Sequence, residues 1–520
     1  MANNQYQPFE VKVSPLLGTD TASAPTTLAK GRWRYQINAY QNKIGSSTKR
    51  PGSAPVTNTA LGALIKHLTV YRSGASETIL GTSGTSLYKY DSSAWSAATG
   101  SLTSADIQDV DFTNADLDSR KLIADGGSFK EYNAATHTVS AVTPAADDPD
   151  PAPGNALADI NAKGPKYIFT YFGQVFLSDG KDVWYYSKPY EYDYFPETQF
   201  ERWVRNNDYF TGNGVVFDNV VLLPMRKGWG ILTGKDFDDI EGNLFLNTSN
   251  GCIAPRSIQK VTYPNGSQTV LFLSDDGVYE IYDTGYLDVG SRRYSTRSKM
   301  ANIIDFTGIG FTDAEKSAAS SYYDPQNYMY MLCISRDTQR LMFGFDTRNG
   351  EWYLWTNIRA NGLVRTDALY YAGETGHLHK FDTMLYRDWN EVAKTTGTIV
   401  DWDCLTDLIA FEKSGYASYL DYLVVSSKQY DIPSSIDVEV RALTSSVEYE
   451  NAINNEIMIW GLGTWGIAGW YNPDFSELVG KPKRLVLKKR SVYFQIRFRN
   501  NRDEPCELYD YSAIGRVSGR

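Results

Sequence analysis

The sequence predicts an all-β chain: a β-propeller of about six or seven blades followed by a C-terminal antiparallel β-sandwich. Three observations predict it. The composition is rich in aromatic rings and glycine, with 37 Tyr, 12 Trp and 42 Gly in 520 residues, and flat aromatic side chains suit the pleated, half-buried surface of a sheet. A hairpin sentence of strand, tight turn and strand recurs along most of the chain. Beyond about residue 390 that sentence stops, and longer alternating strands replace it. The length also exceeds the ~250–300 residues at which single cores stop growing, so more than one unit is expected.

The repeat is clearest in LFLSDDGVYEIYD (271–283), where Asp275, Asp276 and Gly277 separate two strands. LGTSGTSLYKYD (80–91), LIADGGSFKEYN (122–133) and VFLSDGKDVWYYS (175–187) share the sentence. VVLLPMRKGWGILTG (220–234) is looser, LMFGFDTRNGEWYLW (341–355) is shifted, and YYAGETGHLHKFD (370–382) closes the series. From Tyr90 to Phe381 the steps average about 48 residues, close to the roughly 40–50 that one four-stranded blade needs. Asx-Gly and Gly-Gly pairs supply the positive φ of a hairpin turn. One small sheet cannot bury both its faces, whereas a ring of sheets buries each face against the next. Uneven single steps leave a pair of β-sandwiches with generic hairpins as the alternative.

Residues 1–50 read as a polar N-terminal arm with one strand, RWRYQINAYQ (32–41), of a kind that orders against a neighbour. Residues 51–390 are assigned to the propeller and 391–520 to the sandwich. TPAADDPDPAPGNALADI (143–160) reads as a stiffened surface loop. SYLDYLVVSS (418–427), SIDVEVRAL (435–443), EIMIWGLG (456–463), KRLVLKK (483–489), VYFQIRFRN (492–500) and CELYDYSAIGRV (506–517) are the sandwich strands. KPKRLVLKKR (481–490) is the most basic run, read as a solvated strand face, with an anion-facing or subunit-facing patch as the alternative.

A formal net charge of −10 gives no footprint for wrapping nucleic acid. The N-terminus has no basic start followed by an apolar core, and no run approaches ~18 apolar residues, so neither a secretory signal nor a membrane span is expected. Cys252, Cys333, Cys404 and Cys506 are far apart, which fits buried reduced thiols rather than a disulfide framework or a zinc site. GLGTWG (461–466) fits a dinucleotide fingerprint in letters, but Gly469 and Pro473 follow where a helix is needed. It reads instead as a glycine-rich bend anchored by Trp460, Trp465 and Trp470. His377 and His379 share one strand face without a third ligand nearby, so satisfied histidines are expected. A glycosidase would need two convergent carboxylates about 5–10 Å apart. No catalytic residue, cofactor or metal is assigned.

STKRPGS (47–53), WYYSKPYEYDYFP (184–196), the NGCIAPRSI…LFLSDDGVYEIYD block (250–283) and RSVYFQIRFRNN (490–501) resemble a family of tailed-bacteriophage structural proteins. These are the propeller-bearing neck and tail components, including podovirus tail nozzle, hub and stabilisation proteins. The resemblance implies a virion component assembled in the host cytoplasm. It also implies a homo-oligomeric ring, six-fold in the nozzle group, that contacts portal, connector and tail proteins while DNA passes without sequence-specific binding. Lys49, Arg50, Pro51 and Gly52 match the family-type turn and are singled out as structural or contact residues, a structural role being the expectation. A carbohydrate- or receptor-binding propeller at the tail tip is the alternative, with a glycosidase behind it.

Overall fold

The computed structural model describes residues 9–517 except 25–27, 75, 147–153, 205–206, 235, 237–238, 247, 286–293, 302, 337–338, 411–417, 431, 433, 443–444, 455–456, 459–468 and 471–481. Six of the seven predicted hairpins form the second and third strands of a four-stranded antiparallel unit. Six such units run through 65–97, 108–141, 167–202, 215–245, 259–298 and 320–356 and are named blades 1 to 6. Blade 7 takes three strands from 360–382, and its fourth is Gly52–Pro55, antiparallel to Leu378–Asp382 with Ser53 opposite Phe381. The shifted hairpin at 341–355 is explained by blade 6, where it forms the third and fourth strands instead of the second and third.

Seven apolar clusters sit in the seams, one between each neighbouring pair of blades. Leu68, Val70 and Ile79 of blade 1 meet Val364, Tyr370 and Leu378 of blade 7, so the ring is closed. Both faces of each blade are thereby removed from water, the reason the strands read as near-continuous apolar runs. The uneven repeat spacing has a structural cause. An excursion with the helix Leu157–Lys163 precedes blade 3, and a second with Phe306–Ile309 and Asp313–Ser317 precedes blade 6. The first lies in the segment expected to be only loop; Leu157 and Ile160 hold it against blades 2 and 3.

The expected N-terminal arm does not stand apart. Phe9–Val13 and Ser47–Lys49 pair with Glu507–Val517, and Tyr35–Ile37 pairs with Trp402–Leu405. These short strands have no face of their own to bury, so they complete sheets whose other members lie at the far end of the chain. The sandwich is therefore built from both ends, residues 9–49 and 402–517, around Trp33, Phe498, Tyr511 and the leucines of Ser418–Ser427. Its first sheet continues blade 6 through the parallel pair Ile37–Leu354. The four cysteines are buried and unpaired with one another. Among the described residues no helix is long and apolar enough to cross a membrane.

The closing seam has no spare room at Gly362, where a Cβ would lie 2.7 Å from Leu68 Cβ and 2.9 Å from its amide nitrogen. Gly362→Ala is expected to destabilise the chain by about 1–3 kcal/mol through overpacking, read as a lowered urea midpoint at unchanged slope. An unchanged midpoint would show that the seam between blades 7 and 1 yields without cost.

Candidate functional site

The four residues singled out by resemblance, Lys49 to Gly52, lie where the sandwich meets the propeller. Arg50 is fully buried and its guanidinium is saturated. Nε donates to Asn38 Oδ1 at 2.9 Å, and one terminal nitrogen donates to Pro51 O at 3.0 Å and Asp388 Oδ1 at 3.1 Å. The other donates to Thr356 O at 2.9 Å and Asp388 Oδ2 at 2.6 Å. One side chain thus ties the end of blade 6 to the strand Arg387–Trp389 that extends blade 7. Buried charge is tolerated only when paired and hydrogen-bonded in this way.

Lys49 points to the other side. Its Nζ donates to Asn500 Oδ1 at 2.8 Å and to the carbonyl of Arg502, both in the sandwich. Burial pushes the ammonium down to about 8, against the upward pull of Cys506, Glu504 and other nearby groups. Pro51 carries the chain between the two units. At Gly52 a Cβ would sit 2.3 Å from Arg387 O and 2.6 Å from its nitrogen, so only glycine allows the closing strand to lie on its neighbour. Behind this junction, Ser53 Oγ bonds Tyr371 Oη at 2.7 Å and Asp388 Oδ1 at 3.0 Å.

A second concave feature lies within the ring. A cavity of about 420 Å³ is lined from the first strands of blades 1, 2, 4, 5, 6 and 7. On its wall His67 Nε2 and Lys121 Nζ lie 2.6 and 2.7 Å from Asp109, and Lys121 is 2.9 Å from Asp111. Burial alone would raise the Asp109 carboxyl, yet Lys121 and His67 outweigh it and hold it well below the usual carboxylate range. Arg256, in the CIAPRSI segment, donates to the carbonyls of Lys66 in blade 1 and Ala318 before blade 6, and so spans the interior. At about 420 Å³ the cavity falls within the ~300–1,000 Å³ of small-molecule sites and is too small to hold a duplex.

His377 and His379 turn their ring nitrogens to different partners. His377 Nδ1 lies 3.1 Å from Thr57 Oγ1, while His379 stacks on Tyr371 at 4.8 Å and its Nε2 meets Thr375 Oγ1 at 2.9 Å. Among the described residues no group of three or more metal-ligating side chains occurs. Burial, then the charges of His377 and Arg359, push His379 down to about 3. Trp460 and Trp465 lie outside the described residues, as does GLGTWG. Trp470 ends a two-residue strand, Gly469–Trp470, parallel to Ile457–Met458. Sequence reasoning missed Asp388 and Asn38, the partners of Arg50; neither stands in a recognisable motif.

No protein-family model matches the chain, and no curated protein matches it. Solved structures show distant similarity. A virginiamycin B lyase from Staphylococcus aureus is 10% identical with a TM-score of 0.38, over 63% of this chain and 97% of that one. The extracellular domain of a one-component system from B. thetaiotaomicron is 10% identical with a TM-score of 0.41, over 95% of this chain and 64% of that one. The computationally designed Ika8 protein is 10% identical with a TM-score of 0.36, over 64% of this chain and all of its own. Similarity at this level carries no chemistry over to this chain.

Removing one partner of a buried pair strands the other charge. Arg50→Met and Asp388→Asn are each expected to cost about 3–5 kcal/mol in chemical denaturation, with the double variant well short of their sum; strict additivity would deny the coupling. His379 supplies a pH test. Its folded pKa of about 3 lies below the unfolded value, so between pH ~6.5 and 3 the unfolded chain holds a proton that the native chain lacks. Stability falls as pH falls through that window, by about 1.4 kcal/mol per unit from this group. In His379→Gln the acid limb of a stability–pH curve is expected to flatten by that amount, and an unaltered limb would place the acid sensitivity elsewhere.

Proposed function

We propose that the chain is a structural virion component of a tailed phage, a subunit of a neck or tail ring around the DNA exit path, with no catalytic site of its own. The reading rests on one observation. The two segments that carry the resemblance most distinctively are both staples of the architecture: Lys49–Gly52 joins sandwich to propeller, and Arg256 of the CIAPRSI segment bridges the ring interior. Residues that join elements of the fold, and do not line an open cleft, suit a part that bears load between neighbours. Since the interior of one propeller is too small for a duplex, the DNA path would run between subunits, six of them favoured by the nozzle resemblance. Portal, connector and tail proteins are the implied contacts, made after assembly in the host cytoplasm.

A sugar-binding propeller presents indole rings at loop tips. Of the Trp side chains described here, Trp33, Trp184, Trp203, Trp229, Trp352, Trp355 and Trp402 are buried, and Trp95 and Trp389 are half-buried. That distribution favours the structural reading. On the cavity wall, Asp109 is held, despite its burial, well below the usual carboxylate range, by Lys121 foremost, which is unlike the raised acid of a glycosidase pair.

Solution mass with negative-stain images decides the matter. The expected result is a closed ring, or a monomer that joins rings when portal or connector protein is added. A monomer indifferent to both that binds a glycan array would transfer the assignment to a receptor-binding propeller.

A further inference from the structure

The second sandwich sheet turns a basic face outward in a chain whose net charge is −10. Strand register determines which residues share that face. Tyr419 stands opposite Arg490 on one side and Arg516 on the other, and Val424 stands opposite Arg484 and Ser512, with Lys12 beyond Ser512. Between these rows lies Tyr422, opposite Val486 and Ile514. The intervening residues Leu420, Leu423, Val425 and Leu487 enter the sandwich core. The alternation that buries the leucines therefore turns the arginines to water.

The arginines are mounted on aromatic rings. The Arg484 guanidinium lies 3.7 Å from the Tyr422 ring centroid, and those of Arg490 and Arg516 lie 5.7 and 5.4 Å from Tyr419 on its two sides. Arg484, Lys488 and Arg490 are exposed. The acids facing them are Asp421, 3.6 Å from Arg516, Glu10, opposite Ile514, and Asp510, opposite Ser426. Five cations thus share the face with three carboxylates. Lysines on an edge strand can simply block pairing with another sheet, but that role does not call for arginines stacked on the tyrosines of the next strand.

We infer that this face binds the phosphodiester backbone of nucleic acid. A planar guanidinium matches a phosphate bidentately, and a ring beneath it limits the conformational freedom lost on binding. Residues two apart on a strand repeat every ~6.6 Å, which offers a regular series of donors to a repeating anion. The acidic remainder of the chain repels the same polyanion and so orients it onto this face. A membrane is the poorer match, because Val486, 59% exposed, is the large apolar side chain this face offers for insertion. The inference rests on the register of one sheet and not on the virion reading; it stands or falls whether or not the chain forms rings.

The test is fluorescence anisotropy of the full chain with a labelled 30-base-pair duplex across a salt series. With three or four phosphates neutralised, affinity is expected to fall roughly 40- to 150-fold between 50 and 200 mM salt. Arg484→Gln, Arg490→Gln and Arg516→Gln together are expected to flatten the log–log slope by about one per side chain, with a melting temperature that shows the variant folded. Lys181→Gln with Lys227→Gln on the propeller serves as a control and is expected to leave the slope unchanged. Arg484→Lys, which keeps the charge and the fold, is expected to weaken binding without changing the slope. Binding that ignores salt, a triple variant that binds like the parent, or retention on anionic vesicles but not on duplex would overturn the proposal.

Discussion

The architecture depends on a cation in a place that normally excludes one. Arg50 has no contact with water, and each of its five N–H donors is taken, two by Asp388 and the rest by Asn38, Pro51 and Thr356. Desolvating a guanidinium is so unfavourable that the surrounding groups must all be present together. Those groups come from the N-terminal strands, the end of blade 6 and the strand after blade 7. The arginine therefore converts three separate segments into one constraint: the propeller closes, the sandwich attaches, and neither geometry can relax without leaving a buried charge unpaired.

Local patterns were legible in the sequence, and long-range partners were not. Each blade hairpin could be read because its two apolar strands and their turn lie within about fifteen residues, as in 271–283. The strand that closes the ring, Gly52–Pro55, is four small buried residues with no alternation, and its partner lies more than 320 positions away. The sandwich strands Ser418–Ser427 and Phe494–Asn500 were visible through their period of two, while Phe9–Val13 and Ser47–Lys49 were too short to declare a sheet that others complete. Lys49 and Arg50 stood out by resemblance alone. Nothing in a Lys-Arg dipeptide announces burial, since such residues are almost always exposed.

The charge balance follows the same division. The net value of −10 suggests a uniformly acidic surface, yet many carboxylates are used inside the fold. Asp346 and Glu280 are wholly buried, and Asp388 and Glu507 nearly so. Each is paired, with Arg348, with Arg297 and Lys299, with Arg50, and with Lys428 respectively. Residual charge is consequently sorted by location. Arg484, Lys488 and Arg490 of Lys483–Ser491 share the outward sheet face, a feature that a whole-chain sum conceals and a strand's alternation reveals.

Because blade 7 borrows Gly52–Pro55, the propeller has an order of assembly imposed by biosynthesis. The borrowed strand leaves the ribosome early, but the edge it must join is complete only when Asp382 has been added. At the usual ~5–20 residues per second that interval lasts about 15 to 65 s. Through it, blades 1 to 6 can stack as an open arc whose two terminal faces stay unpaired, while the N-terminal strands wait without a sheet. Closure of the propeller therefore waits on Asp382 and the sandwich waits further, on Glu507–Val517, where Phe9–Val13 and Ser47–Lys49 find their sheet.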